Sequence, residues 1–173
     1  MMKDNMNELL PLVDEEGRVL GSATRGECHG GNRPLHPVVH LHLFNSRGEL
    51  YLQRRPEWKD VQPGKWDTAV GGHVDWGEDT ETALCREVRE EIGLAVAFGA
   101  DAAIRPEFLC RYVFECQRER ELVNVFRATY DGEVTPSAET DGGRFWSRQE
   151  ILDAIGTGVL TPNFEQEWQR LGL

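Results

Sequence analysis

The spacing of apolar and polar residues predicts two β-hairpins in the first third of the chain. Residues 9–13 and 18–23 flank one turn, residues 38–44 and 49–54 flank another, and each turn ends in glycine. Short apolar runs joined by such turns are typical of antiparallel strand pairs. Polar residues 1–8 precede the first strand, and we expect them to be frayed.

Farther along the chain, alternating apolar and polar residues predict five more strands. A charged turn separates the two longest, and a polar loop over residues 131–143 precedes the last one. Between the two hairpins lies a Gly/Pro-rich loop, residues 24–37, which carries two histidines. The five predicted strands cover residues 66–70, 95–98, 108–116, 122–130 and 145–146.

Helical periodicity is clearest over residues 80–92. Leu84, Val88 and Ile92 recur on one helical face, and Gly93 is a typical C-terminal stop. We therefore expect one amphipathic helix in the middle of the chain.

Two more helices are predicted near the C-terminal end. Ser147 and Glu150 have the spacing of a capping box for a helix that ends near residue 155. Pro162 begins the last helix, which ends near residue 171. Hairpins with one central helix and helices at the end predict an α+β layered fold. Since the chain has no long linker or repeat, we expect a single domain over residues 1–173.

The charge balance narrows the class of partner. The formal net charge is −11, which disfavours nonspecific binding of nucleic acid or of anionic membranes, because both attract basic surfaces. No apolar run reaches the length of a membrane span, and the first residues lack a signal-peptide pattern, so we expect a cytoplasmic protein. The oligomeric state stays open, with a homodimer among the possibilities.

The central helix carries an acidic stripe beside its apolar face. Glu87, Glu90 and Glu91 lie at spacings where like charges repel one another. A hard divalent cation such as Mg²⁺ compensates carboxylates of this kind and takes substrate phosphates as further ligands. Arg86 can orient one carboxylate through a charge-assisted hydrogen bond. The alternative is an acidic helix face that is simply exposed to solvent, which is the more common arrangement for three neighbouring acidic residues.

The spacing of these residues favours the metal site over the solvated face. Counting from Gly72, the pattern is G-x5-E-x7-R-E-U-x-E-E-x-G-U, where U is apolar. Residues 72–94 resemble the Nudix box at each fixed position of that motif. The matching residues are Gly72, Glu78, Arg86, Glu87, Val88, Glu90, Glu91, Gly93 and Leu94.

The resemblance implies a fold and a chemistry. Nudix proteins have a mixed β-sheet between helices, in an α/β/α sandwich, and the box forms their loop–helix–loop catalytic element. They use Mg²⁺ or Mn²⁺ to hydrolyse a nucleoside diphosphate derivative or a related small-molecule diphosphate. The resemblance implies metal ligation and water activation by Glu87, Glu90 and Glu91, and a backbone metal ligand at the Gly71 carbonyl. Arg86 would orient a carboxylate, and no single glutamate is assigned as the base.

The resemblance extends beyond the box to the branch that includes type I isopentenyl-diphosphate isomerase, and it covers residues 12–94. His29, His36 and His73 match in type and spacing the three histidines that hold the isomerase's metal. That metal also takes two glutamates from a later strand, and Glu119 and Glu121 fall where those would be, before the strand predicted over residues 122–130. Each histidine by itself is an ordinary loop or turn residue, but as a spaced set a metal or phosphate role is equally favoured.

One departure separates this chain from the isomerases. They have a catalytic cysteine just before a Gly-His pair, and Gly71 stands at that position here. Because glycine offers no side-chain proton donor or acceptor, isomerisation by that route should fail, whereas the hydrolytic box is complete. The sequence therefore predicts a Nudix hydrolase. The alternatives are an isopentenyl-diphosphate isomerase-like enzyme and a non-catalytic ligand-binding module. Glu119 and Glu139 are further candidates for a metal ligand or base.

Substrate recognition is weakly specified by the sequence. Arg54, Arg55 and Lys65, with Lys59 nearby, are candidates to meet phosphate oxygens. Ordinary surface solubility explains these cations equally well. Nothing in the sequence selects a nucleobase.

Overall fold

Nine strands and four helices form within residues 5–59 and 61–173, the part of the chain that this computed structural model describes. The strands are β1 (Leu9–Val13), β2 (Val19–Thr24), β3 (His36–Phe44), β4 (Leu50–Arg54), β5 (Trp66–Asp67), β6 (Val70–His73), β7 (Glu107–Glu115), β8 (Arg120–Thr129) and β9 (Gly143–Trp146). The helices are α1 (Arg25–Cys28), α2 (Thr80–Ile92), α3 (Arg148–Ala154) and α4 (Pro162–Leu171).

Strand β3 is the centre of the large sheet. It pairs antiparallel with β6 along one edge and parallel with β8 along the other, and β7 continues the sheet beyond β8. Strands β4, β5 and β9 extend the sheet on the β6 side. The second hairpin is confirmed as an antiparallel pair of β3 and β4, but the two strands pair only at Phe44 and Leu50 beside the turn. The first hairpin is confirmed, since β1 and β2 pair antiparallel in a separate small sheet.

Helices cover both faces of the large sheet, which confirms the α/β/α sandwich. On one face, Val39 and Leu41 of β3 share a core with Leu84 and Val88 of α2. These four side chains are fully buried. On the other face, Phe164 of α4 packs into a second core with residues of β4, β9 and α3. The sandwich follows from the alternation of β3, whose successive side chains point to opposite faces.

The predicted helices are confirmed, and their ends show why. Asp79 caps α2 by accepting a hydrogen bond from the backbone N–H of Thr82 at 2.8 Å. Gly93 ends α2 in the left-handed conformation with φ of 68°, which favours glycine. Ser147 and Glu150 form the expected capping box of α3. None of the helices formed by the described residues is both long and apolar enough to span a bilayer.

Three local predictions need correction. Residues 95–98 form no strand, although the Ala97 N–H donates to the Ile104 carbonyl at 3.2 Å. The predicted loop after β2 contains α1, whose four residues are too few to show helical periodicity. Residues 1–4 of the segment expected to be frayed lie outside the described residues. The fraying does not extend to residues 5–8, since the Glu8 carbonyl accepts from the Arg25 N–H at 2.7 Å.

Candidate active site

A cavity of about 570 Å³ lies where α2, β3, β6, β8 and α4 come together. It brings together most of the residues that the sequence singles out. Lining it are His29, Arg55, Gly71, Gly72, His73, Arg86, Glu87, Glu90, Glu91, Glu119, Glu121 and Glu139. His36 lies beside the cavity, within the histidine cluster described below.

The two glycines of β6 have different neighbours, and only Gly72 faces α2. A Cβ atom on Gly72 would overlap the carboxyl group of Glu87. A Cβ on Gly71 would be only in contact distance, 3.4 Å from Cδ2 of His40. A side chain at position 72 would therefore displace the Glu87 carboxyl group, whereas one at position 71 would make ordinary contact with His40 and Thr68.

Arg86 organises the acidic groups of α2. Its Nη1 contacts Oε1 of Glu87 at 2.7 Å and Oε2 of Glu90 at 3.3 Å. Its Nε and Nη2 donate to the two oxygens of Glu78 at 3.0 and 2.9 Å, and Nη2 also donates to the His73 carbonyl at 3.0 Å. The hydrogen bond to Glu78, offset by burial, raises the pKa of Arg86 further above its usual range. One guanidinium thus ties the carboxylates of α2 to the end of β6.

Two of these glutamates are held away from water. Burial raises the pKa of Glu87 to about 7, against the opposing effect of Arg86. Burial, and then the charge of Glu87, raise the pKa of Glu91 to about 8. The Glu91 carboxylate accepts hydrogen bonds from the Gly71 N–H at 3.1 Å and from Gln53 Nε2 at 2.9 Å. The cluster therefore lacks positive charge, and its oxygen donors fit a divalent cation such as Mg²⁺.

The three histidines meet at the cavity, although they come from three separate parts of the chain. One nitrogen from each of His29, His36 and His73 lies within 4.8 Å of the others. Nδ1 of His36 lies 3.0 Å from the Pro34 carbonyl, to which it can donate. Its Nε2 is buried and has no hydrogen-bond partner among the described residues.

The electrostatics of this cluster suit a metal. Burial lowers the pKa of His36 and lowers that of His73 well below the usual range. Nε2 of His29 lies 3.2 Å from Nε2 of His73, so the ring nitrogens converge. Neutral imidazole nitrogens are good ligands for divalent cations, and the backbone partner at Nδ1 of His36 fixes that ring. The donor set of the cluster therefore fits a second cation.

Two glutamates of the β7–β8 region border the histidine cluster. Oε2 of Glu119 lies 3.5 Å from Nε2 of His29. Glu121 lies within β8 rather than before it, and the parallel ladder places it beside His36. Burial, and then the charge of Glu119, raise the pKa of Glu121 to about 8. The sequence identified both residues, but their place beside the histidines depends on the pairing of β3 with β8.

The predicted substrate cations are separated by the structure. Arg55 lines the cavity, where its Nη1 lies 3.4 Å from Oδ2 of Asp67. Arg54 does not line it and instead pairs with Asp141 at 2.8 Å and Glu57 at 3.2 Å. Lys65 also lies outside the cavity lining.

Other cations lie at the cavity. Arg25, Lys59 and Arg118 line it, and the sequence analysis selected neither arginine. Arg25 is brought there by α1, whose capping box is formed by Thr24 and Glu27. That Thr-x-x-Glu spacing was a detectable signal.

A buried histidine pair was also missed. Glu167 of α4 accepts from Nδ1 of His40 at 2.9 Å, from Nε2 of His42 at 2.6 Å and from the Tyr112 hydroxyl at 2.5 Å. Burial lowers the pKa of His40, but the charge and hydrogen bond of Glu167 outweigh it and raise the pKa to about 9. The recurrence of histidine with even spacing along β3, from His36 to His40 to His42, was the available signal.

Comparison with known proteins agrees with this geometry. The NUDIX domain family profile matches residues 34–164. An isopentenyl-diphosphate Delta-isomerase of Leifsonia xyli is 32% identical over 167 residues, covering 96% of this chain and 89% of that protein. An uncharacterised Nudix hydrolase of Pseudomonas aeruginosa is 38% identical over 144 residues, covering 83% of this chain and 80% of that protein.

Solved structures share the fold. A crystal structure from Deinococcus radiodurans superposes with a TM-score of 0.80 and 26% identity, covering 95% of this chain and 99% of that one. A MutT protein from Methanosarcina mazei gives a TM-score of 0.67 and 26% identity, covering 80% and 94%. The layered fold and the carboxylate-bearing helix against β6 define a Nudix protein. This chain belongs to the NUDIX domain family, and its relatives include proteins named as isomerases and as hydrolases.

Proposed function

We propose that this chain is a divalent-metal-dependent Nudix hydrolase that cleaves the diphosphate linkage of a nucleoside diphosphate derivative or related small diphosphate. The observation that carries the proposal is the complete carboxylate set of α2, tied by Arg86 to β6 and facing the cavity. The family match over residues 34–164 supports a single domain of this type across residues 1–173.

Glu87, Glu90 and Glu91 would hold Mg²⁺ or Mn²⁺, together with the Gly71 carbonyl. His29, His36, His73 and Glu121 would hold a second cation. When bound, these cations neutralise the negative charge of the diphosphate oxygens. The fit rests on the unpartnered Nε2 of His36 and on the raised pKa values of Glu87 and Glu91.

The residues of the chain then have separate tasks. The carboxylates of α2 position a water molecule and accept its proton as its oxygen attacks phosphorus and the bridging P–O bond breaks. Arg86 keeps Glu87 and Glu90 in place. Arg55, Lys59, Arg25 and Arg118 place positive charge around the cavity, where it meets phosphate oxygens.

The test is a screen for phosphate and diphosphate release with Mg²⁺ and Mn²⁺. It covers nucleoside diphosphate sugars, dinucleoside polyphosphates, nucleoside triphosphates and isopentenyl diphosphate. In a chain with Glu90→Gln and Glu91→Gln, we expect turnover to fall roughly 10²–10⁴-fold with the fold intact, because metal ligation and proton acceptance are both lost. Glu81→Gln is the matched control, since Glu81 is exposed on the first turn of α2 and does not line the cavity. Equal turnover in both variants would contradict the proposal.

The second candidate is an isopentenyl-diphosphate isomerase-like enzyme. The histidine cluster and the Leifsonia xyli relative favour it. Gly71 argues against it, because it offers no side-chain acid or base. Conversion of isopentenyl diphosphate to its allylic isomer, followed by proton NMR, separates the two enzymes. A non-catalytic binding module, the remaining alternative, would retain ligand affinity and show no turnover with any compound of the screen.

A further inference from the structure

The buried part of the cavity lining has a polar group that the hydrolytic mechanism does not use. His40 lines the cavity but is only 8% exposed. Its Nδ1 is committed to Glu167, and no described residue hydrogen-bonds its Nε2. That nitrogen lies on the Gly71 side of the ring, 3.6 Å from where a Cβ on Gly71 would be. The absence of a side chain at position 71 therefore leaves the ring edge accessible from the cavity.

Two hydroxyl groups in the cavity lining, those of Thr68 and Thr161, are committed to other partners. The Thr68 hydroxyl donates to the Leu41 carbonyl at 2.9 Å. The Thr161 hydroxyl donates to Asp67 at 3.0 Å. Glu121, which is 8% exposed, also lines this part of the cavity. A hydrocarbon placed against His40 would leave its Nε2 without a partner, which is costly.

Glu167 keeps the His40 ring in one orientation. The carboxylate is 1% exposed and also accepts from His42 and Tyr112, so it is fixed by three donors. A ring held in this way presents Nε2 to the cavity without losing rotational freedom on binding. A hydroxyl group can donate or accept, so it can pair with Nε2 in either protonation state of the ring.

We propose that His40, positioned by Glu167, is a specificity-determining residue that hydrogen-bonds a hydroxyl group on the substrate beyond its diphosphate. The substrate class is thus a hydroxylated diphosphate rather than an isoprenoid one. This inference rests on the proposed diphosphate chemistry of the same cavity.

Two probes that differ in one hydroxyl group test the proposal: 3-methylbutyl diphosphate and 3-hydroxy-3-methylbutyl diphosphate. Binding is measured by isothermal titration calorimetry with Mg²⁺ in a Glu90→Gln chain, so that cleavage does not consume the probe. We expect the hydroxylated probe to bind about tenfold more tightly, the change that corresponds to one buried hydrogen bond. Because the readout is binding, it does not depend on hydrolysis.

The variants identify the group responsible. His40→Leu should abolish the tenfold preference. His42→Gln is the matched control, since His42 is on the same strand and binds the same carboxylate but does not line the cavity. It should lower the melting temperature and keep the preference. If His40→Leu does not fold, Gly71→Ala shields Nε2 while retaining the Glu167 hydrogen bond, and it should reduce the preference at least about threefold.

Equal affinity of the parent chain for the two probes would overturn the proposal. Loss of the preference in His42→Gln, to the same extent as in His40→Leu, would also overturn it. A hydroxyl preference that depends on His40, in a protein that cleaves no diphosphate of the screen, would support this inference while contradicting the hydrolase. Hydrolysis without a hydroxyl preference would do the reverse.

Discussion

The cavity has two walls that balance charge in opposite ways. The helix wall consists of Arg86, Glu87, Glu90 and Glu91 of α2. Its three carboxylates outnumber Arg86, which contacts Glu87 and Glu90. The sheet wall consists of His36 and His40 of β3, Glu121 of β8, and Glu167 of α4 behind His40. There, one carboxylate, Glu167, receives three donors.

This difference in charge balance predicts that changes in the two walls affect different properties of the protein. Because carboxylates outnumber cations in the helix wall, we expect changes there to affect cation binding and turnover more than folding. Because the Glu167 carboxylate is buried and held by three donors, we expect changes there to affect folding first. The following predictions test this division, from the largest expected effect to the smallest.

Glu167→Gln should destabilise the protein most. The variant leaves His40 and His42 without their buried carboxylate, at a cost of about 3 kcal/mol in the free energy of unfolding at pH 6. The pKa of His40 is raised to about 9, so its contribution is present below pH 6.5 and is lost as the pH rises through 9. The difference in the free energy of unfolding between the parent and the variant, measured by urea unfolding, should therefore be smaller at pH 9.5 than at pH 6. A difference in unfolding free energy that stays constant from pH 6 to 9.5 would contradict the pairing of His40 with Glu167.

Gly72→Ala should impair turnover more than stability. The added Cβ overlaps the Glu87 carboxyl group and displaces it, and a misplacement of about 1 Å costs roughly 10²-fold in kcat/KM. Gly71→Ala is the neighbouring comparison, since its Cβ meets His40 at 3.4 Å and displaces no catalytic side chain, so we expect only the roughly threefold effect of shielding Nε2 of His40. Steady-state kinetics on a substrate from the screen should rank the two variants in that order. Equal losses would show that the packing of Glu87 on Gly72 is unimportant.

His36→Asn should separate the two cation sites. Imidazole nitrogen favours Zn²⁺, whereas carboxylate oxygen suits Mg²⁺. We expect the variant to lose roughly 10–100-fold in Zn²⁺ affinity, measured by calorimetry, with Mg²⁺ affinity little changed. His42→Gln, outside the histidine cluster, provides the control. If the His36→Asn variant binds Zn²⁺ as tightly as the parent, the proposed cation site at the histidine cluster is contradicted.

Glu91→Gln should have the smallest effect, and its sign should differ from that of Glu167→Gln. The pKa of Glu91 is raised to about 8, so the metal-free protein loses stability as the pH rises from 4.5 through 8. The glutamine variant avoids that loss and should be more stable than the parent by roughly 1–2 kcal/mol at pH 8.5. Saturating Mg²⁺ should reduce the difference. Thermal unfolding with EDTA and with Mg²⁺ measures this difference in stability. If the variant is less stable than the parent at pH 8.5 without metal, the ionised Glu91 carboxylate does not destabilise the metal-free protein, contrary to this prediction.

The sequence by itself determined the helix wall. The apolar period, Asp79, Gly93 and the acidic stripe lie within about four turns of one another, so each signal acts through neighbours in the chain. The layered fold class followed from the same kind of local pattern. The contacts of Arg86 with Glu78 and Glu87 also follow from their spacing on and before one helix.

Only the tertiary structure decided the sheet wall. The parallel pairing of β3 with β8 joins His36 to Glu121, and residues so far apart in sequence carry no local signal of their pairing. The sequence alone did not distinguish Arg54 from Arg55 as a phosphate ligand. In the structure Arg54 pairs with Asp141 outside the cavity lining, whereas Arg55 lines the cavity. Glu167 looked like an ordinary helix residue, yet packing of α4 on β3 places it behind His40. Local periodicity specifies which face of an element is buried, whereas the partner of each buried polar group depends on how the elements pack together.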